Sequence, residues 1–332
     1  MQPILPPGPA TLPRHIIVVV TTLVVIAGIG VPAAPAGSGP PRAARPVPGT
    51  PCALLPHDNI WNTEVDDLPV HDSSETWLDS MHANETDLHP DFGPPDYGIP
   101  YRVVDRDTPR RAVRFTYASE SDRKRYPITK GTPIEAGSDR HALMVDRERC
   151  VLYELYRVRW RGKKVTAGSG AIFRLGSNAL RPDGWTSADA AGLPILPGLV
   201  RYDEVEAGEI DHAIRMTAEV TTDGYVWPAR HEAGVDDPDA PPMGARFRLD
   251  ADYDISGFGE RAQIVLRAMQ AYGMIVADNG SDWYFTGTRD KRWTNGLLDQ
   301  LKQVPAGAFE AVDTSDCIVD ADSGAAECPP EA

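Results

Sequence analysis

The sequence predicts a mainly β protein, a β-sandwich or jelly roll with one or two short helices packed on it. Turns must be frequent, because glycine and proline account for 29 and 31 of the 332 residues and both interrupt regular elements. Short alternating apolar segments recur along the chain, which is typical of sandwiches and jelly rolls. One long segment, 259–272, has the apolar spacing of a helix, and Gly273 is a suitable stop for it.

The first half of the chain contains the clearest strand patterns. Residues 110–118 (RRAVRFTYA) alternate and predict a strand, and 138–158 predicts a hairpin whose loop is the charged tetrad 146–149. A short strand at 167–175 precedes the proline- and glycine-rich segment 176–205. Structureless segments of that length inside a domain are usually functional loops or lids.

The second half adds further strands and two helices. Alternation predicts strands at 209–221, 224–231 and 245–253. The Asn279-Gly280 pair, a strong hairpin signal, predicts a hairpin over 274–287. Thr294 is the expected N-cap of a last short helix, 295–303.

The N-terminus has the plan of a secretory signal peptide, which we assign to residues 1–36. An uncharged apolar run, 16–31, precedes an A-x-A cleavage pattern at Ala34-Pro35-Ala36. An uncleaved anchor is the alternative, although the run is shorter than the roughly 20 residues that span a bilayer. We then expect a proline-rich linker at 37–51, a single β-rich domain at 52–314 and an acidic tail at 315–332. The protein is expected to be secreted and monomeric, and to meet a membrane only through its signal segment.

Export makes disulfides the expected state of the four cysteines, which allow three pairings. Cys317 and Cys328 are close in sequence, so a local bridge is the simplest choice, and Cys52 is then left for Cys150. No C-x-x-C, H-E-x-x-H or H-x-H pattern occurs, so we predict no metal site.

The net charge of −15 disfavours binding to nucleic acid or to anionic membranes, since phosphates need a basic stripe. Neither a P-loop nor a G-x-G-x-x-G pattern occurs, so a nucleotide is not expected. We predict no cofactor.

The 138–158 hairpin is the first candidate site. If the loop is 146–149, paired positions place His141 opposite Glu154 and Asp139 opposite Tyr156, with side chains close enough to bond. A histidine held by a carboxylate beside a tyrosine suits acid–base catalysis, with Asp139 and Arg140 positioning the substrate. The same residues also suit an ordinary solvated sheet face, and a one-residue change in the loop would separate them.

Other candidates come from the neighbouring segments. His212 stands in an otherwise apolar row, which suits either a core histidine or a further catalytic group, and His231 ends the strand predicted after it. Carboxylates and aromatic side chains alternate in the long segment, and glycoside hydrolysis needs two carboxylates. The substrate-binding candidates here are Trp185, Asp189, Arg201, Tyr202, Asp203, Trp227 and His231. Packed aromatics in a solvated loop are the alternative.

Three stretches, 184–205 (GWTSADAAGLPILPGLVRYDEV), SDRH with LYEL in the hairpin, and 277–284 (ADNGSDWY), resemble a group of secreted proteins of high-GC, actinobacterial-type bacteria. The resemblance covers most of 56–314. It implies export and a single domain, and it carries over no catalytic residue.

Together these patterns predict a secreted protein that acts on extracellular polysaccharide or cell-wall glycan. Its chemistry would be acid–base cleavage, as a lyase or a hydrolase, by His141, Glu154, Tyr156 and His212. The alternative is a non-catalytic carbohydrate- or envelope-binding protein that stacks sugars on Trp185, Tyr202 and Trp227.

Overall fold

Strands in three mixed sheets dominate residues 45–329, the part of the chain that the computed structural model describes. The strands there are β1 (His89–Pro90), β2 (Tyr101–Val104), β3 (Arg111–Phe115), β4 (Arg125–Tyr126), β5 (Ala142–Asp146), β6 (Val151–Leu155), β7 (Arg159–Arg161), β8 (Lys164–Ala167), β9 (Gly170–Arg174), β10 (Ile214–Ala218), β11 (Arg246–Leu249), β12 (Met274–Asn279), β13 (Tyr284–Phe285) and β14 (Phe309–Val312). The helices are α1 (Ser74–Ser80), α2 (Tyr202–Ala207), α3 (Glu260–Ala271) and α4 (Asn295–Leu301). The prediction of a mainly β fold with few short helices is confirmed, whereas a sandwich or jelly roll stays a prediction.

The predicted hairpin is present as β5 and β6, in a four-stranded sheet of order β2-β5-β6-β9. Both strands are buried along their whole length, because their nearly continuous apolar runs cover both faces of the sheet. One face joins a cluster with Leu143 and Leu152, and the other a cluster with Met144 and Tyr153. The alternative of an ordinary solvated sheet face is therefore wrong.

The register of this hairpin also differs from the prediction. Leu143, not His141, is the partner of Glu154, because β5 continues to Asp146 and the turn begins at Arg147. Asp146 caps that turn, since its carboxylate accepts the backbone N–H groups of Glu148 and Arg149. The turn thus occupies residues 147–150, one position later than the predicted loop 146–149. As a result, each residue of β5 pairs with a residue of β6 two positions later than predicted.

The largest sheet has the order β1-β13-β10-β12-β11-β14. The predicted 274–287 hairpin was wrong, because β10 lies between β12 and β13 and pairs with both. Asn279 and Gly280 lack the positive φ of a type I′ turn. Gly280 instead lets the chain pass Thr217, whose side chain would lie 2.8 Å from an added Cβ.

The remaining predicted elements agree in part. Helix α3 buries the predicted apolar stripe, and Thr294 caps α4 by accepting the backbone N–H of Leu297. The strand predicted at 209–221 is confined to β10. No strand forms at 224–231 within the described residues, where Pro228 lacks the N–H that a ladder needs.

The second part of the long segment, residues 186–205, is a buried or half-buried layer between sheets and not an exposed loop, whereas exposed positions occur within 176–184. Residues 191–200 are all buried. Ile195 and Leu196 pack on the β5–β6 sheet, whereas Leu193 and Val200 join the core of the large sheet. The prolines and glycines of this segment therefore shape a buried connection.

Both predicted disulfides are confirmed, Cys52–Cys150 and Cys317–Cys328. In the predicted linker, Val47 is fully buried, and in the predicted tail Cys317 is 1% exposed. The predicted signal peptide lies outside the described residues. No helix between residues 45 and 329 is long and apolar enough to cross a membrane.

Candidate functional site

A bulge in the largest sheet brings two charged side chains to one face. β10 and β12 run parallel with Arg215 opposite Ile275 and Met216 opposite Val276, but Thr217 then faces Asp278. Ala277 is thus an extra residue on β12. Because side chains alternate along a strand, the extra residue turns Asp278 to the face of Arg215 instead of the Met216 face.

Arg215 is held by a carboxylate from the long segment. Its Nε and Nη2 atoms donate to the two oxygens of Asp189 at 2.8 and 2.6 Å, and Nη1 donates to the Thr286 hydroxyl at 2.9 Å. The Asp189 side chain is fully buried and that of Arg215 is 4% exposed. Burial opposes the guanidinium charge, but Asp189 outweighs it and raises the pKa of Arg215.

Asp278 lies beside this ion pair and is less acidic than an ordinary aspartate. Its Oδ2 is 3.8 Å from Arg215 Nη2, and its side chain is 25% exposed. The pKa of Asp278 is raised well above the ordinary value, first because its surroundings desolvate the carboxylate and then because of the negative charge of Asp189. Arg215 opposes this rise but is already neutralised by Asp189. Asp278 is therefore a carboxylic acid that retains its proton above the usual range of an aspartate.

A cavity of about 520 Å³ opens at Asp278, within the roughly 300–1,000 Å³ typical of small-molecule sites. Its side-chain chemistry is polar and aromatic. The lining comprises Tyr117, Glu120, Tyr156, Ser169, Thr186, Ser187, Ala188, Asp189, Ala190, His231, Glu232, Ala233, Asp278 and Asn279. The long segment supplies one wall, so its buried layer also builds the site.

Glu120 and His231 form a pair on this lining. His231 Nε2 lies 3.5 Å from Glu120 Oε2, and the other ring nitrogen is 2.9 Å from the Ala190 carbonyl oxygen. Both side chains are roughly a quarter to a third exposed, at 27% and 30%. The cavity thus carries a second accessible carboxylate, held by a histidine, in addition to Asp278.

A second cavity, of about 250 Å³, meets the first at Asp278 and Asn279, which line both. Asp139 and His141 line this second cavity. Of the predicted site residues, the structure thus brings Tyr156, Asp189 and His231 to one cavity, and Asp139 and His141 to its neighbour.

His141 does not bond to Glu154 as predicted. Its Nδ1 is 2.7 Å from Glu135 Oε2 and its Nε2 is 3.1 Å from the Ala188 carbonyl oxygen. Burial lowers the pKa of His141, but the hydrogen bond and charge of Glu135 outweigh it and the net shift is upward. Because both ring nitrogens face acceptors, the imidazolium is favoured and neither nitrogen is free to accept a proton. His141 is placed as a cation that holds Glu135 and the long segment.

Glu154 is enclosed beneath the long segment. Its carboxylate accepts the backbone N–H groups of Ile195 and Leu196 and is fully buried. Burial raises its pKa to about 7, against the opposing effect of these two hydrogen bonds. Glu154 therefore fastens the segment and does not line either cavity.

Four further predicted residues form a separate cluster around α2. Arg201 and His212 both bond to the buried carboxylate of Glu204. Tyr202 is buried edge-on against Trp293, and Asp203 lines a different cavity with Tyr101. His212 therefore belongs to this cluster and lines neither of the two cavities.

The remaining predicted residues serve local contacts. Arg140 donates to the Val158 carbonyl oxygen, and Trp227 donates through its indole N–H to that of Ser323. Trp185 lies under the guanidinium of Arg181. None of the three lines the two cavities.

Sequence reasoning missed Arg215, Asp278, Glu135 and Glu120. Neither Arg215, within the strand pattern of 209–221, nor Asp278, directly before the Asn279-Gly280 pair, was named as a candidate. The available signal was a charge within an apolar strand, together with an aspartate at the carboxyl end of another such strand, where parallel sheets often place ligands. The bulge that brings them together cannot be recognised from the pattern of apolar residues in β12.

Comparison with known proteins adds no relative, since the chain matches no protein-family model, no curated protein and no solved structure. The chemistry of the site must be argued from its own geometry.

Proposed function

We propose that this protein is secreted and hydrolyses glycosidic bonds in extracellular polysaccharide or cell-wall glycan, with Asp278 as the proton donor. The observation that supports the proposal is the position of Asp278 at an open, polar cavity, in surroundings that raise its pKa. Glycoside hydrolysis requires such an acid together with a second carboxylate. The two disulfides fit an extracellular protein.

In this proposal Asp278 gives its proton to the glycosidic oxygen as the bond to the anomeric carbon breaks. Glu120 takes a proton from the water that attacks that carbon, and His231 holds Glu120 in position. The Asp278 carboxylate that forms lies beside the Arg215–Asp189 ion pair, where the attraction of Arg215 partly offsets the repulsion by Asp189. Solvent protons exchanged through the open cavity restore both groups.

A hydrolase is favoured over a lyase by the state of Arg215. A lyase needs a cation that neutralises the carboxylate of a uronic acid, so that a base can remove the neighbouring proton. All three guanidinium nitrogens of Arg215 already donate to Asp189 or Thr286. The described residues on the lining of the first cavity include no arginine and no lysine.

Glycan binding without catalysis is the second candidate, and it is favoured by the aromatic side chains of the cavity. Tyr117 is 47% exposed on its lining, and Tyr156 lies on the same lining. Aromatic rings with a polar tip suit a surface that is half apolar and half wet. These tyrosines replace Trp185, Tyr202 and Trp227 as the stacking candidates.

The decisive experiment compares Asp278→Asn with the wild type on a panel of neutral, amine-bearing and uronate polysaccharides. The amide keeps the shape but cannot donate the proton of an acid, so we expect kcat to fall by about 10²–10⁴-fold while binding persists. Glu232→Gln, which alters another carboxylate of the same lining, is the matched control and should retain most of the activity. Retained turnover in Asp278→Asn would remove Asp278 from its role. Binding without turnover by the wild type would select the non-catalytic function.

A further inference from the structure

The second cavity is too small to be an independent site. Its volume of about 250 Å³ is below the roughly 300–1,000 Å³ of typical ligand pockets. It shares Asp278 and Asn279 with the larger cavity, so the proposed acid stands where the two meet. A bond broken at Asp278 would have one part of the substrate on each side.

The lining of the second cavity offers the contacts of a sugar site. Tyr284 supplies an aromatic ring, held in place by stacking on His89 at a centroid distance of 4.0 Å. Asn279 supplies an acceptor, because its Oδ1 is buried without a hydrogen-bond partner within residues 45–329, while its Nδ2 donates to Thr221. A buried acceptor without a donor is costly, and a sugar hydroxyl in this cavity is a suitable donor.

The charges of this lining exclude acidic sugars. The two cations on it are neutralised by their own partners, His141 by Glu135 and Arg215 by Asp189. Asp91 and Asp139 also line the cavity; Asp91 accepts the Tyr97 hydroxyl and Asp139 that of Ser138, and neither has an ion pair among the described residues. A uronate carboxylate placed here would meet like charges without a free cation.

We infer that the second cavity is a subsite on the far side of Asp278 and that it accepts a sugar without a carboxylate. The substrate is then an internal stretch of a neutral or amine-bearing glycan lying across both cavities. This inference rests on the proposed function, and it adds the path of the substrate across both cavities and the substrate class.

The test blocks the second cavity while leaving Asp278 and Glu120 in place. Ser281 is exposed on the rim of that cavity, so Ser281→Trp would fill it from outside. Ser256→Trp, at an exposed serine outside both cavities, is the matched control. Titration calorimetry would use cello- and chito-oligosaccharides of two and four units and a tetramer of galacturonate.

We expect the wild type to bind a neutral tetramer about tenfold or more tightly than the dimer, the equivalent of about 1.4 kcal/mol. Ser281→Trp should remove this gain and leave dimer binding unchanged, whereas Ser256→Trp should retain it. The galacturonate tetramer should bind less tightly than the cello- and chito-tetramers. Tyr284→Ala is a second variant that should weaken tetramer binding selectively. It replaces Ser281→Trp in the test if Ser281→Trp unfolds at a lower temperature than the wild type.

Equal binding of dimer and tetramer, equal losses for both in Ser281→Trp, or tight binding of galacturonate would overturn the inference and leave the hydrolase proposal standing. Absence of binding and turnover for every glycan would instead remove the proposed function, and this inference with it.

Discussion

Glu154 shows that a residue of a type suited to catalysis can have a structural role instead. Its carboxylate lies in the sheet of β5 and β6, where two backbone N–H groups of the long segment donate to it. Burial still raises its pKa to about 7. A raised pKa is a common sign of an active-site carboxyl, yet here it belongs to a structural contact, because Glu154 lines neither of the two cavities described above.

Glu154→Gln is expected to change how stability depends on pH. Below pH 4.5 the carboxyl is protonated in both the folded and unfolded states, whereas between pH 4.5 and about 7 only the folded state keeps the proton. The wild type should therefore lose about 3 kcal/mol of unfolding free energy as pH rises through that window. The amide, which also accepts both N–H groups, should lack this loss.

Urea unfolding of both proteins from pH 4.5 to 7.5 would measure it. A difference between the two unfolding free energies that stays constant with pH would show that Glu154 does not titrate in the fold as described.

At the scale of the element, residues 191–200 show that a proline- and glycine-rich segment can be a core layer. Leu196 and Leu199 are fully buried against the β5–β6 sheet, and Val200 pairs by backbone hydrogen bonds with Thr286 and Thr288. A lid would instead expose its backbone and have few apolar contacts.

Amide hydrogen exchange should therefore be slow in this segment. We expect the amides of Ile195, Leu196 and Val200 to exchange about as slowly as those of β5 and β6, since opening them requires the core to separate. Exchange measured by mass spectrometry or NMR would test this, with the exposed 235–239 segment as a fast internal reference. Fast exchange at 191–200, together with slow exchange in β5, would identify a mobile lid.

The positions of helices and strands were more predictable from the sequence than the pairing of the strands. Helix α3, its stop at Gly273 and the Thr294 cap depend on local spacing, and all three were predicted. The pairing of β12 with β10 is not local, and it overrode the Asn279-Gly280 turn signal. The site was also predictable only in part. Tyr156, Asp189 and His231 were identified from the sequence by residue type. Asp278 could not be identified in this way, because its position depends on the bulge and on the strand order, and the alternation of apolar residues encodes neither.

At the scale of the whole molecule, the two disulfides are expected to contribute unequally to stability. Cys52–Cys150 closes a loop of 98 residues and joins the N-terminal segment to the β5–β6 turn, whereas Cys317–Cys328 spans 11 residues. Loop-closure entropy makes the longer crosslink worth about 5 kcal/mol and the shorter about 3 kcal/mol.

Paired serine substitutions should reproduce this order. Cys52→Ser with Cys150→Ser should lower the urea midpoint more than Cys317→Ser with Cys328→Ser, because the first pair frees the larger loop of the unfolded chain. Equal losses, or a larger loss for the C-terminal pair, would show that native contacts at each bridge outweigh the loop lengths.

The separate origins of Asp189, Arg215 and Asp278 have a consequence for when the proposed catalytic acid forms. Asp189 comes from the buried segment, Arg215 from β10 and Asp278 from beyond the bulge of β12. An aspartate at position 278 of an unfolded chain has an ordinary acidity and is ionised at neutral pH. Only when the segment has docked and both strands have paired is the pKa of this carboxyl raised. In the proposed role, a chain that is still unfolded during export carries no catalytic acid, and the chemistry begins only after folding outside the cell is complete.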